Sequence, residues 1–206
     1  MKRVFAPLLL LGASAAAARE GDGVAPRTVE IHRIEAKIQV DGKLDEPAWS
    51  QATMADGFVQ TEPDEGKPTT ERTEAFLFYD NDKLYVGFKC FDGEPGRIVR
   101  RFDTHDARTN SDSVNIFLDP FGDRRTGYFF SLNVAGGQFD ALVSEASGID
   151  GTWDGIWESA TRLESWGWSA ERYSGDYPRD LGRLRATNLR RRHTSTARRR
   201  PGESRR

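Results

Sequence analysis

Alternation of apolar and polar side chains with a period of two, in short runs between residues 35 and 171, is the feature that most constrains how this chain can fold. A helix would repeat every 3.6 residues, whereas a strand with one buried face repeats every two. In "KLYVGFKCF" Leu84, Val86, Phe88 and Cys90 share one face, and Tyr85, Gly87, Lys89 and Phe91 share the other. With "EAFLFY" before it and the polar "DNDK" between, the pattern predicts an antiparallel hairpin. "SVNIFLD" puts Val114, Ile116 and Leu118 on one side. The turn-rich "PFGDRRTG" then leads to "YFFSLNV", which pairs with "QFDALV" across Ala135-Gly136-Gly137. A loop rich in Gly, Asp and Trp, "SGIDGTWDGIWESA", precedes a last hairpin in which "ATRL" turns through "ESWG" into "WSAE". One helical hint interrupts the strands: after the Asp41-Gly42 turn, Asp45 can cap a short helix with Pro47 in its first turn and Trp49 riding on it to close one end of the core. These readings predict an all-β, antiparallel, jelly-roll-like β-sandwich with one short helix.

At 206 residues the chain has room for one domain with a substantial core. Residues 1–18 read as a secretory signal peptide: Lys2 and Arg3 lead an apolar run over 4–11, and Ala16-Ala17-Ala18 supplies the small residues of a cleavage site. Export to the periplasm, the outer membrane or the extracellular space is the expectation. Residues 19–29 form a polar linker, 30–171 the sandwich, and 172–206 a tail of different composition. Residues 1–171 hold 18 Lys/Arg against 29 Asp/Glu, whereas 172–206 hold 12 Arg and 3 acids, so a net charge of −2 hides an acidic body and a basic tail. The lone Cys90 precludes an internal disulfide and reads as a small buried hydrophobe.

Nucleophile-elbow, Walker, Rossmann and H-E-x-x-H patterns are all absent, and His32, His105 and His193 are scattered, so no catalytic residue and no zinc site is assigned. Asp103, Asp106, Asn110, Asp112, Asp119, Asp123, Asp140, Asp150 and Asp154 fall at strand ends and in loops. Oxygen ligands of this kind suit calcium, with Asp119, Asp123 and Asp140 as the candidate set, although no EF-hand spacing occurs and a solvated acidic rim is the competing reading. Trp153 and Trp157 stand in the Gly/Asp-rich loop, where an exposed indole fits an apolar ligand surface. The C–H face of a pyranose is such a surface, and polar neighbours can bond its hydroxyls. The candidate ligand-binding set is Trp153, Asp154, Trp157, Arg101 and Asp112, with Trp153 equally suited to core packing and Trp157 better suited to the core than to a ligand. The Arg-rich tail lacks the interleaved aromatics of single-strand binders, so nucleic acid is not expected as a partner.

"IQVDGKLDEPAWSQA", "TEPDEGKPTTERTEAFLFYDNDKLYVGFKCFD", "SDSVNIFLDPFGDRRTGYFFSLNVAGGQFDA" and "TWDGIWESATRLESWGWSAE" together resemble the carbohydrate-binding module family 9 type domain. The version they resemble stands at the N-terminus of large exported bacterial proteins that end in an outer-membrane-type β-barrel. The resemblance spans about residues 30–171. It implies a β-sandwich that binds oligo- or polysaccharide, tryptophans that clamp the sugar, and calcium in some members. It places Trp49 in the shared entry block and Trp153 in a W-D-x-x-W block as the sugar platform; Ser113 stands where relatives often carry a larger residue. In the family "GW-x-A-E" runs on into an apolar strand, whereas here an Arg-rich tail follows Glu171. A shifted reading frame is expected from that change, leaving a truncated sheet edge at 168–171, a disordered stretch over 173–206, and a membrane connection only through the missing barrel. The expected function is carbohydrate binding without catalysis, as part of carbohydrate catabolism. The alternatives are a hydrolase acting on O-glycosyl bonds and a structural or gating domain of a barrel protein.

Overall fold

The structure, a computed structural model, describes residues 29–60, 64–101, 111–119, 125–174 and 190–192. The expected signal peptide, nearly all of the linker, most of the tail, and Asp103, Asp106, Asn110 and Asp123 lie outside the described residues.

Among the described residues ten strands form two antiparallel sheets. They are β1 (Thr53–Ala55), β2 (Thr73–Tyr79), β3 (Leu84–Phe91), β4 (Ser113–Leu118), β5 (Thr126–Asn133), β6 (Gln138–Ser144), β7 (Gly148–Asp150), β8 (Trp157–Glu164), β9 (Gly167–Ser174) and β10 (Arg190–Arg192). The first sheet has the order β1-β2-β3-β9-β8 and the second β10-β4-β5-β6-β7. The β2–β3 hairpin closes through Asp80, whose carboxylate accepts the backbone N–H groups of Asp82 and Lys83 at 2.8 Å each. Val86, Phe88, Cys90, Trp168 and Ala170 from the first sheet meet Val114, Ile116, Phe130 and Leu132 from the second, all nearly inaccessible to solvent. This is the all-β antiparallel sandwich that the period of two requires.

A second apolar cluster lies on the other side of the first sheet. Ala48, Trp49, Phe78 and Tyr85 form it, with Ile34, Ile38, Leu44 and Tyr173 packed around them. Trp49 therefore seals the outer face of a sheet, not an end of the inter-sheet core as expected. Its ring meets Phe78 edge-on at 5.0 Å. The close approach needs Gly87: a Cβ there would fall 2.4 Å from Leu44 Cδ2 and 2.9 Å from Trp49 Cζ3. The short helix expected from Asp45 is realised as a run of turns, with Trp49 N–H donating to Glu46 O, Gln51 to Ala48 and Ala52 to Trp49. Three-residue closures of this kind bring the indole down onto the sheet within a single short segment.

The Asp41-Gly42 turn is fastened to β9. Glu171 Oε1 accepts the N–H of Asp41 at 2.5 Å and of Gly42 at 3.1 Å, and Ser169 Oγ donates to Gly42 O at 2.6 Å. Two of the sequence blocks named above thus bind each other across about 130 residues.

β9 also corrects the reading of the tail. The strand does not stop at Glu171 but runs to Ser174, and it lies between β3 and β8, so it is interior and not a truncated edge. Backbone pairing on both sides holds it whatever side chains follow. Arg172 consequently takes an inward position after Trp168 and Ala170. It is 4% exposed, with its guanidinium 3.8 Å from the Phe130 ring centroid and 4.6 Å from that of Trp157. Further along, Arg190–Arg192 is not disordered but pairs with Ser113–Asn115 of β4 as an edge strand.

Candidate functional site

The site is built on one inward face of β5. Tyr128 and Phe130, two residues apart, point the same way, and the loop between β7 and β8 folds Trp153 onto both. Its indole stacks on Tyr128 with centroids 4.7 Å apart and planes 29° apart, and meets Phe130 edge-on at 5.8 Å. Trp153 remains half-buried, while its neighbours Asp154 and Ile156 are exposed, Ile156 at 73%. An aromatic pair at the sandwich surface, bordered by an exposed carboxylate and an exposed aliphatic side chain, can take a flat apolar ligand face and bond a hydroxyl beside it.

Asp140 anchors this loop. It stands on β6 opposite Phe130 and is 1% exposed. Its Oδ2 accepts Gly155 N–H at 3.1 Å and Trp157 Nε1–H at 2.7 Å. Gly155 is required where it stands, because a Cβ would lie 2.7 Å from Trp153 Cη2. At the start of the loop Asp150 Oδ1 accepts Thr152 N–H at 3.0 Å and Thr152 Oγ1–H at 2.7 Å, bonds that hold the Asp150 carboxyl below its ordinary range.

Of the residues expected to bind ligand, the structure brings together Trp153, Asp154 and Trp157, with different surroundings. Trp157 is 8% exposed, sits edge-on to Phe130 at 5.5 Å, and spends its N–H on Asp140, so it belongs to the core beside the platform. Arg101 and Asp112 are elsewhere. Arg101 is exposed, its N–H reaching Ser111 Oγ at 3.3 Å, and Asp112 is buried next to Val99 and Val134. Asp112 precedes Ser113, which pairs with Asn133, whereas Phe130 pairs with Ile116. That register separates it from Phe130 by about 13 Å along the strands.

Of the residues expected to hold calcium, Asp123 lies outside the described residues, and the other two stand apart. Asp119 follows the end of β4 and Asp140 lies two strands away on β6, at least about 10 Å across the sheet. Among the described residues no group of three or more His, Cys, Asp or Glu side chains is placed to hold a metal ion.

Tyr128, Phe130 and Ile156 were not singled out by sequence. The alternation in "YFFSLNV" does place Tyr128 and Phe130 on one face, but only the return of Trp153 from a loop 25 residues later makes that face a platform.

No protein-family model matches the chain, and a comparison with curated proteins finds no match either. Solved structures do match. A family 9 carbohydrate-binding module from Caldicellulosiruptor kristjanssonii, in complex with glucose, aligns at 18% identity and a TM-score of 0.50 over 72% of this chain and 70% of that one. The same organism's family 9 module in complex with cellotriose aligns at 19% identity and a TM-score of 0.49 over 70% of this chain and 66% of that chain. A Bacteroides uniformis protein provisionally assigned as carbohydrate-binding aligns at 13% identity and a TM-score of 0.55, over 72% of each chain. The chain spans about two thirds of the length of these proteins. With its described strands in two five-stranded antiparallel sheets, the chain has the fold of the family 9 carbohydrate-binding modules.

Proposed function

We propose that the chain is an exported, non-catalytic carbohydrate-binding domain that receives a sugar on the Trp153–Tyr128 pair. The observation that carries this reading is the half-buried indole of Trp153, held on Tyr128 in a loop that also exposes Asp154 and Ile156. A fold shared with a module solved in complex with glucose supports it. The pyranose C–H face would cover the indole, and the Asp154 carboxylate would accept from a hydroxyl at its rim.

A single shallow aromatic site implies a Kd in the micromolar to millimolar range, about −8 to −4 kcal/mol. Titration calorimetry against glucose and a panel of plant and bacterial oligosaccharides should give heat for at least one. Trp153→Ala should abolish it without changing the far-UV spectrum. Silence across the panel would end the proposal. Release of reducing ends from any of these sugars would favour a glycoside hydrolase instead.

A further inference from the structure

We infer that Asp140 is the positioning residue of the aromatic platform: its two hydrogen bonds fix the 151–156 loop in the one shape that lays Trp153 on Tyr128. The inference rests on the proposed sugar site and deepens it. Asp140 lies on β6, 15 residues before Gly155 and 17 before Trp157, and a single oxygen, Oδ2, accepts from both. One of those donors is a backbone N–H inside the loop. The other is a side chain locked into the core against Phe130. The loop is thereby tied to a rigid reference two residues past Trp153. Gly155 in turn leaves Trp153 Cη2 only enough space to lie against its backbone, so placing Gly155 places the indole.

The electrostatics point the same way. Asp140 is 1% exposed, and its second oxygen, Oδ1, is buried with no hydrogen-bond partner among the described residues. A buried carboxylate with an unmatched oxygen is costly, and β6 is already held by a full ladder of backbone bonds to β5. What an apolar residue at this position could not provide is two directed acceptor contacts. Platforms for sugars need that direction, because stacking tolerates little tilt between ring and ligand.

The test compares Asp140→Leu and Asp140→Asn with the wild-type protein by two measurements. The first is the part of the near-UV circular dichroism that Trp153→Phe removes, which reports the Trp153–Tyr128 stack. The second is the affinity for glucose or for the tightest-binding oligosaccharide of the panel. Asp140→Leu should remain folded by far-UV dichroism and a cooperative melt, lose the stacking signal, and bind at least tenfold more weakly. Asp140→Asn, which keeps an acceptor at the Oδ2 position, should retain the signal and bind within about threefold of wild type. A folded Asp140→Leu protein with an unchanged stacking signal overturns the inference. If Asp140→Leu does not fold, amide exchange at Gly155 in the wild-type protein decides: protection comparable to the β8 amides upholds it, and exchange at the rate of an open loop overturns it. If the wild-type protein binds no sugar, the proposed function fails, and the stacking signal alone still judges Asp140.

Discussion

Three tryptophans of this chain differ in role because of what stands beside each indole. Trp49 is sealed against Phe78 over Gly87 and gives its N–H to Glu46, 3.1 Å away. Truncating it leaves a large hole in the outer cluster, so Trp49→Ala should cost about 3 to 5 kcal/mol in denaturant titrations and leave sugar affinity untouched. Trp157 is held by Asp140 at its edge and covered by Arg172 on its face, whereas Trp153 stacks on Tyr128 and stays half-buried. Glu171 supplies a residue-scale prediction of another kind. Burial pushes its carboxyl up to about 7, with the nearby Asp41 and Glu46 carboxylates adding to the effect, although the Asp41 and Gly42 N–H groups pull the other way. A pKa raised in the folded state means that the folded protein holds a proton the unfolded chain has already released. The associated stability is complete below the ordinary glutamate range and is lost as pH rises through about 7, by about 3 kcal/mol. Melting temperature should therefore fall between pH 5 and pH 8, and Glu171→Gln should flatten that dependence. The Asp41 carboxyl, lowered by its bonds with Lys43, titrates in a more acid range and does not blur the window. An equal slope in the Gln variant would assign the pH dependence to other groups.

Elements were more legible than contacts. The two faces read from "KLYVGFKCF" are the two faces of β3, one in the inter-sheet core and one under the Trp49 cluster, because alternation is a property of the backbone pleat and needs no distant information. The β5–β6 hairpin over Ala135-Gly136-Gly137 followed for the same reason. Which indole faces solvent was not legible, since it depends on Asp140 meeting Gly155 and Trp157 across a loop. Arg101 and Asp112 were grouped with Trp153 on chemistry alone, and the register of β4 on β5 keeps them apart. The end of β9 was misread because an Arg-rich composition hides a strand that its neighbours impose. Arg172 is the residue in which that conflict shows: alternation reserves its position for an apolar side chain, and an arginine fills it. Arg172→Ile should pack against Phe130 and Trp157 without a buried charge and raise stability by about 1 to 3 kcal/mol. Thermal unfolding checks it, and a lower melting temperature in the variant would show that the guanidinium contributes net stability where it lies.

At the scale of the whole molecule, a two-layer sandwich ends in four edge strands, here β1 and β8 on one sheet and β10 and β7 on the other. An edge presents unpaired N–H and C=O groups to any other chain that can add a strand. β10 pairs with β4 and so occupies the backbone groups that the β4 edge would otherwise present. A chain ending at residue 189 should therefore expose the Ser113–Asn115 edge of β4 and self-associate, more strongly at higher protein concentration. Light scattering coupled to size-exclusion chromatography measures this directly, and adding back the 190–206 peptide at low salt should restore the monomer. A deletion that stays monomeric and melts where the full chain does would show that β4 is protected by something other than β10.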